Sequence, residues 1–302
     1  MRHDDARTIR QAVSPAEIRR LARRSDARGL VFLAGHLVAL VAGGWLVLQA
    51  GPAWLVPAMF LQGVLIVHLF APFHETSHGT AFASPWLNRA VCWFTGLALG
   101  LPPTHFRLEH LEHHAWTQDP EHDPEMIPHT ATRRGYLLYA TALPYFRSLF
   151  SSLARHWRGA FTPGELAFLP PHAQRLVIRD GRIMLAVYAA IALASLATGS
   201  WLAVKVWLLP RILGEPVMRL IRMSEHGGCA MLPEIFRNTR TVRTFLPWRW
   251  LNWNNAFHAE HHALPGIPFH ALPALHARIG PHLGEVTDGY LEAQRVILAR
   301  AG

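Results

Sequence analysis

The sequence predicts an all-α integral membrane protein with two transmembrane helical hairpins, which make four spans, and a cytoplasmic helical cap. Three observations predict this fold. The chain of 302 residues is 51% hydrophobic and has a positive mean hydropathy of +0.14, which shifts the expectation from a soluble domain towards a membrane protein. Its apolar residues form runs long enough to cross a bilayer. Most of its 20 histidines lie in the polar regions between and after those runs. We expect residues 1–302 to form one domain.

The first third of the chain predicts an arm followed by a hairpin. Residues 1–29 are polar and rich in arginine, and they predict an amphipathic cytoplasmic arm on a membrane surface or, almost equally well, a solvated helix. Residues 30–73 hold two apolar runs, Leu30–Leu48 and Ala53–Phe73, which a short turn containing Gly51 and Pro52 joins. Each run is long enough to span a bilayer, so together they predict the first transmembrane hairpin.

The remainder predicts a cap in two parts and a second hairpin. Residues 74–181 and 222–302 are polar and form the predicted cap, in which the short apolar stretches Ala90–Leu101 and Tyr136–Phe150 predict interfacial or re-entrant helices. Residues 182–221 predict the second hairpin, which turns at about 199–200. Its returning run contains Arg211 and Glu215, which are spaced to pair on one face of a helix unless the helix leaves the bilayer there.

The basic residues predict the orientation. The chain has 29 Lys and Arg residues, and the turns at 49–52 and 199–200 contain none of them. By the positive-inside rule both termini and the whole cap face the cytoplasm, which predicts a multi-pass protein of the inner (plasma) membrane. The sequence pI is near 10.6. Because the arginines flank apolar segments, we expect an anionic membrane surface or an acidic protein partner and no nucleic acid.

Eight histidines form three clusters with helical spacing. The clusters are His74-Glu-Thr-Ser-His78, His110-Leu-Glu-His113-His114 and His258-Ala-Glu-His261-His262. Spacings of three and four residues place side chains on one side of a helix, and a set of three fans far enough for one helix to serve two neighbouring metals. Imidazole binds iron, zinc and copper alike. The clusters predict a metal centre on the cytoplasmic side.

These clusters resemble the histidine boxes of the membrane fatty acid desaturase superfamily, which includes alkane hydroxylases, carotenoid ketolases and sphingolipid desaturases. The phrases HAWTQDP after His113 and WNNAFHAEHH around His258 are similar to the bacterial branch. The resemblance covers about residues 30–280 and implies two iron ions, cycling between Fe2+ and Fe3+, with O2 as co-substrate. It also implies a ninth ligand, His226. Arg222 stands where some members of the family have Asn.

Carboxylates inside and beside the boxes are candidates to orient the imidazoles as hydrogen-bond acceptors. These candidates are Glu75, Glu112, Asp119, Asp123, Glu225 and Glu260. Asp119 and Asp123 serve equally well as turn residues beside Pro120 and Pro124. Histidines without box spacing, among them His105, His156 and His276, are interpreted as surface or core residues.

The resemblance implies an O2-dependent di-iron oxidoreductase that introduces a double bond into a fatty-acyl or related lipid-like substrate. A hydroxylase or ketolase of an alkane, fatty acid or carotenoid is the alternative on the same scaffold, because both start by taking hydrogen from a C–H bond. A histidine-rich metal transporter is a remote alternative, but it requires ligands near the bilayer midplane. A zinc hydrolase normally uses three protein ligands, fewer than nine.

The electrons must come from a second protein. The sequence contains no Cys-Xaa-Xaa-Cys pair and no flavin-binding fingerprint. We expect a separate donor of the ferredoxin, rubredoxin or cytochrome type with its reductase, and a basic cytoplasmic face attracts an acidic carrier.

Overall fold

The computed structural model describes the backbone of residues 3–302 and the side chains of residues 4–127 and 130–302. Helices dominate the described chain. In the first half they are α1 His3–Ala12, α2 Pro15–Leu21, α3 Asp26–Gln49, α4 Pro52–Val67, α5 Phe70–Ser77, α6 Pro85–Leu99, α7 Pro103–Trp116, α8 Arg133–Ala140 and α9 Leu143–Arg158. In the second half they are α10 Pro163–Phe168, α11 Pro171–Thr198, α12 Leu209–His226, α13 Ile235–Asn238, α14 Leu246–Leu251, α15 His258–Ala263, α16 Leu272–Ile279 and α17 Tyr290–Arg300.

Three helical segments are long and apolar enough to cross a membrane: Asp26–Gln49, Pro52–Ser77 and Pro171–Thr198. The first begins directly after Ser25, whose hydroxyl accepts a hydrogen bond from the backbone N–H of Arg28 and caps the helix. The first and third are mostly exposed along their apolar stretches, with Val41 and Leu196 among the outward-facing residues. Such apolar exposure is normal for a surface in contact with lipid. The structure is consistent with a helical membrane protein.

Helix α12 packs along α4, and a π-helical turn at Val204–Leu208 precedes it. The two helices cross so closely at Gly63 and Gly214 that a Cβ on Gly63 would lie 2.0 Å from the carbonyl oxygen of Pro210. Only glycine permits this approach. Arg211 and Glu215 form an ion pair on α12, as their spacing predicts, and Arg219 lies 2.6 Å from the same carboxylate. This close crossing fixes the position of α12 along α4, and therefore also the position of His226 at the end of α12.

The amino-terminal arm packs against the cap. Ile9, Val13 and Leu21 are buried in one cluster with Phe257 and Leu275, and Asp5 accepts a hydrogen bond from the backbone N–H of Ile235. Contact of this arm with a membrane surface or with solvent stays a prediction. The apolar face is covered by protein because the arm folds back over α15 and α16.

The cap also contains a small sheet that the sequence did not predict. Strand β1, Thr241–Arg243, pairs in parallel with β2, Val286–Asp288, in the register Val242 to Thr287. The helical prediction is confirmed, and this two-stranded sheet is an addition to it. The sheet ties the segment after α13 to the segment before α17, and β1 also bonds to the region of α15 through the N–H of Val242 and the carbonyl of Ala256. It therefore holds the third histidine box in place.

Candidate metal centre

All nine predicted ligands converge in the cap. They come from the ends of α5 and α12, from α7 and from α15, with only His78 one residue beyond its helix. Helix α7 presents His110 and His114 on one side and His113 on another, as the fan of its spacing predicts. The imidazoles separate into two groups. The first group is His74, His78, His110, His114 and His261, and the second is His113, His226, His258 and His262.

In the first group the ring nitrogens approach one another as ligands around one ion do. The Nε2 atom of His114 lies 3.1 Å from Nε2 of His110 and 3.1 Å from Nε2 of His261. The Nε2 atoms of His74 and His78 are buried and have no hydrogen-bond partner in the described part of the chain. Three elements, α5, α7 and α15, therefore direct imidazoles toward one point.

The second group places His226 among the box residues. Its Nε2 lies 3.2 Å from Nε2 of His258, and its ring centroid lies 4.9 Å from that of His113 and 4.8 Å from that of His262. The Nε2 atoms of His113 and His262 are buried without a hydrogen-bond partner among the described residues. His226, which lies outside the three boxes, thus belongs to the same group of imidazoles as members of the second and third boxes.

The third box depends on an unusual turn before α15. Trp253 and Asn254 have positive φ angles of 46° and 55°, which non-glycine residues rarely adopt. The side-chain amide of Asn254 donates to the carbonyl of Phe269, and Trp253 is buried against the Phe269 ring. These contacts hold the turn that directs His258 and His261 inward.

Several rings have an acceptor behind Nδ1. His110 faces Glu125 at 2.7 Å, His113 faces Asp123 at 2.8 Å and His226 faces the carbonyl of Asn238 at 3.1 Å. His262 lies 3.1 Å from the hydroxyl of Thr117. An Nδ1–H that donates outward fixes the ring so that Nε2 is free to bind a metal.

Of the predicted carboxylates, some lie near the imidazole of a predicted ligand and others do not. Asp123 contacts an imidazole directly, whereas Glu225 lies 3.8 Å from Nδ1 of His258 and accepts from Asn255 and Arg222. Glu75 is buried inside the cap, but it accepts from Thr80 and from the backbone N–H of Phe269 and not from an imidazole. Glu260 likewise binds Thr241 and His276 outside the two groups.

Two of the candidates lie away from the centre. Asp119 accepts from His122 and from the backbone of Glu121 in an exposed turn, which is the turn role that its neighbour Pro120 also permits. Glu112 lines a cleft on the outer side of α7. The structure does not bring either carboxylate to a predicted ligand. Glu112 points outward because α7 turns its three histidines inward, and Asp119 lies in the turn beyond the end of α7.

Glu125 and Arg222 are the main residues that sequence reasoning missed. Arg222 lies 2.6 Å from Glu125 and also pairs with Glu225, so one guanidinium joins the carboxylate behind His110 to the carboxylate near His258. Burial alone would raise the pKa of Glu125, but His110, His113 and Arg222 hold it well below its usual value. The distance in sequence between Glu125 and the second histidine box follows no pattern that would predict its contact with His110. For Arg222 the available sequence signal was its position one helical turn before His226.

The donor set fits metal ions. Burial lowers the pKa of His258, His261 and His262, and neighbouring imidazoles lower each further, so these rings are neutral and ready to bind. Ligands with bonds of about 2.0–2.1 Å stand about 2.9 Å apart at right angles and about 3.3 Å apart in a tetrahedron, and the separations of 3.1 and 3.2 Å found here lie between these values. Buried nitrogens without partners are otherwise rare. Two adjacent positions of nitrogen ligands are therefore built into the cap.

The sequence matches known proteins over most of its length. Residues 52–293 match the family described as fatty acid desaturase. The chain is 29% identical to a sphingolipid delta(4)-desaturase of Drosophila melanogaster over 73% of this chain and 65% of that protein. It is 25% identical to an sn-1 oleoyl-lipid 12-desaturase of Picosynechococcus sp. over 82% of this chain and 76% of that protein. The match thus spans slightly less than two thirds of the Drosophila protein.

A third relative has a double name. The chain is 26% identical to a sphingolipid delta(4)-desaturase/C4-monooxygenase of Mus musculus, over 80% of this chain and 71% of that protein. The relatives come from animals as well as from Picosynechococcus sp., so placement in the bacterial branch stays a prediction.

Proposed function

Because the chain belongs to the fatty acid desaturase family, we propose that it is an O2-dependent oxidoreductase that introduces a double bond into a fatty-acyl or related lipid-like chain. The observation that carries this proposal is the convergence of nine buried or half-buried imidazoles on two adjacent positions. Two iron ions bound there would supply the reduction of O2 and the oxidising power to take hydrogen from an unactivated C–H bond.

The protein's own residues bind, orient and exclude water in this proposal. The nine imidazoles would hold the metals through Nε2, and Asp123 and Glu125 fix ring orientation through Nδ1. No side chain has to act as a nucleophile. In desaturation the substrate loses two hydrogen atoms, and O2 takes these with two electrons and two protons from a donor, which leaves two waters.

Hydroxylation is the second candidate, and it is favoured by the similarity to the Mus musculus protein, whose name includes a C4-monooxygenase. The same O2 and the same two electrons and two protons then place one oxygen atom in the substrate and the other in water. Lipid mass spectrometry of cells that express the chain, against cells with an empty vector, separates the two. Loss of two hydrogens supports desaturation, gain of one oxygen supports hydroxylation, and no change in any lipid would contradict both.

We include four spans and a cytoplasmic cap in the proposal. Helix α12 and the π-helical turn before it would form the fourth span, because α12 packs along α4 and its charges pair with one another inside the protein. Reporter fusions after Ala50 and Ser200 should report the outer side, and fusions after Asp180 and Gly302 the cytoplasm. An outer-side signal at Asp180 would contradict this topology.

The electrons would come from a separate acidic carrier, and a basic groove offers it a docking surface. The groove has a volume of about 510 Å³ and is lined by the exposed Arg20, Arg23, Arg24 and Arg28 and by His270. From its floor a short path leads inward, because Phe269 adjoins His270 and donates its N–H to Glu75 beside His74.

Charge reversal tests this surface. Arg23→Glu with Arg24→Glu should raise the KM for an acidic carrier several-fold and reduce the salt dependence of turnover, since steering depends on charge. Turnover with a small chemical reductant should stay unchanged, and Arg158→Glu on α9 serves as the matched control. If the double variant alters only binding to vesicles with anionic lipids, the groove is a membrane contact and not a carrier site.

A further inference from the structure

A second histidine cluster lies outside the nine-histidine centre. It consists of His105 in the first turn of α7, His156 near the end of α9 and Glu165 in α10. All three residues are more than nine-tenths buried. Since these residues have no regular spacing, the fold and not a motif brings them together. The interpretation of His105 and His156 as core residues holds for burial, but it does not explain why two imidazoles and a carboxylate meet.

The possible ligand atoms of this cluster lie within 4.8 Å of one another, close enough to surround one ion. Oε1 of Glu165 is hydrogen-bonded to Nε2 of His156 at 2.8 Å and lies 3.4 Å from Nε2 of His105, and the two ring centroids are 4.5 Å apart. Ligands around a tetrahedral ion with bonds of about 2.0–2.1 Å stand about 3.3 Å apart. Nε2 of His105 makes no hydrogen bond within the described part of the chain, although buried polar atoms normally have partners.

The surroundings supply the rest of a metal site. Oε2 of Glu109 lies 3.6 Å from Nδ1 of His105, behind the ring, where a carboxylate orients a ligating histidine. The N–H of Thr162 donates to Oε2 of Glu165 and leaves Oε1 to face the imidazoles. His105 and Glu165 line a cleft of about 340 Å³, which provides an entry path and room for a water ligand.

One cation competes for the carboxylate. Nη2 of Arg155 lies 3.1 Å from Oε1 of Glu165. The same guanidinium also donates to the hydroxyls of Ser151 and Ser152, so it keeps hydrogen-bond partners when an ion takes its place beside Oε1.

We propose that His105, His156 and Glu165 form a mononuclear site for a divalent transition metal of the zinc class. Two histidines, one carboxylate and an open position are a known zinc arrangement. The ion would join α7, which carries the second histidine box, to α9 and α10 outside it. This site is separate from the two positions of the nine-histidine centre and does not depend on the proposed reaction.

Metal titration tests the proposal. The iron-loaded, full-length protein is titrated with Co2+, whose visible absorption reports site geometry, and bound metals are counted by elemental analysis. We expect one Co2+ equivalent per chain beyond the iron, and Zn2+ should displace it. Glu165→Gln should lose this equivalent and keep its iron, because Gln retains the helix-capping shape of Glu165. His156→Ala should behave the same way, and the exposed His172→Ala should bind like the unaltered protein.

The titration can be interpreted whether or not the nine-histidine centre holds iron. If that centre fails to hold iron, Co2+ enters it as well, but the difference between the unaltered protein and Glu165→Gln is still one equivalent. No difference between these two proteins, or no Co2+ bound beyond the nine-histidine centre, would overturn the proposal. Circular dichroism and elution volume show whether each variant is folded, and Glu165→Gln decides the question should His156→Ala not fold.

Discussion

The two metal positions differ in how their imidazoles are held. In the second group each ring has a polar atom near Nδ1: Asp123 for His113, the Asn238 carbonyl for His226, Asn255 for His258 and Thr117 for His262. In the first group His110 has Glu125, but the Nδ1 atoms of His114 and His261 have no hydrogen-bond partner among the described residues. The first group packs against apolar rings instead, with Phe106 stacked on His110 and Phe70 beside His74.

The difference suggests two ways to build a ligand position. Hydrogen bonds fix the tautomer as well as the direction of a ring, whereas packing fixes mainly the direction. We expect the second position to be sensitive to polar substitutions around it and the first to substitutions that change packing. Arg222 is the exception, because one of its carboxylate partners lies beside the first metal position and the other beside the second.

The largest expected effect is at His226. His226→Ala removes one of four imidazoles from the second position and should reduce bound iron from about two ions per chain towards one, with loss of turnover. His172→Ala, which changes an exposed histidine, is the control. Elemental analysis of the purified protein measures the effect. Two irons and normal turnover in His226→Ala would remove His226 from the ligand set.

Arg222 should give the next largest effect and tests the link between the positions. Arg222→Met leaves Glu125 and Glu225 buried without their common partner, which we expect to cost about 3–5 kcal/mol of unfolding free energy. Arg222→Lys keeps a charge but not the two-armed geometry, so it should recover only part of the stability. Denaturation of the detergent-solubilised protein measures both, and equal stability of Arg222→Met and the unaltered protein would contradict the bridge.

Asp123 should separate the two positions. Asp123→Asn weakens the acceptor behind His113 and should lower metal affinity or activity by about 10–100-fold. We expect the loss to be confined to the second ion, so a chelator should remove one iron faster than the other. Phe106→Leu, which changes packing behind His110, is the matched change at the first position. Equal loss of both irons in Asp123→Asn would show that the positions are not independently supported.

The smallest expected effects are at Glu112 and Asp119. Neither contacts a predicted ligand, so Glu112→Gln and Asp119→Asn should change iron content little and unfolding free energy by less than about 0.5 kcal/mol. Iron analysis and thermal unfolding of the two variants provide the check. A loss of iron in either variant would mean that these carboxylates act on the centre by contacts that the structure does not contain.

Features that depend on a pattern within one segment could be predicted from the sequence, whereas contacts between distant segments could not. The three histidine boxes could be found because helical spacing places their members together, and the apolar runs of α3, α4 and α11 could be found from length alone. Acceptors such as Thr117 and the Asn238 carbonyl could not be found, since they approach from distant segments. His276 is a similar case: it bonds to Glu260 in the third box, although its position in the sequence gave no reason to expect this.

The arm and the small sheet show the same limit. The apolar residues of α1 and α2 are visible in the sequence, but whether lipid, water or protein covers them depends on how the chain folds back. Strands of three residues, such as β1 and β2, are too short for an alternating pattern to identify.

Iron content of the unaltered protein tests the central claim most directly. After expression with added iron and purification in mild detergent, elemental analysis should find close to two irons per chain in the nine-histidine centre, and chelation should remove both. This result is expected because two groups of buried nitrogens converge at ligand separations. Protein that binds only zinc under these conditions, or no metal at all, would contradict the assignment of this centre to O2-dependent oxidation.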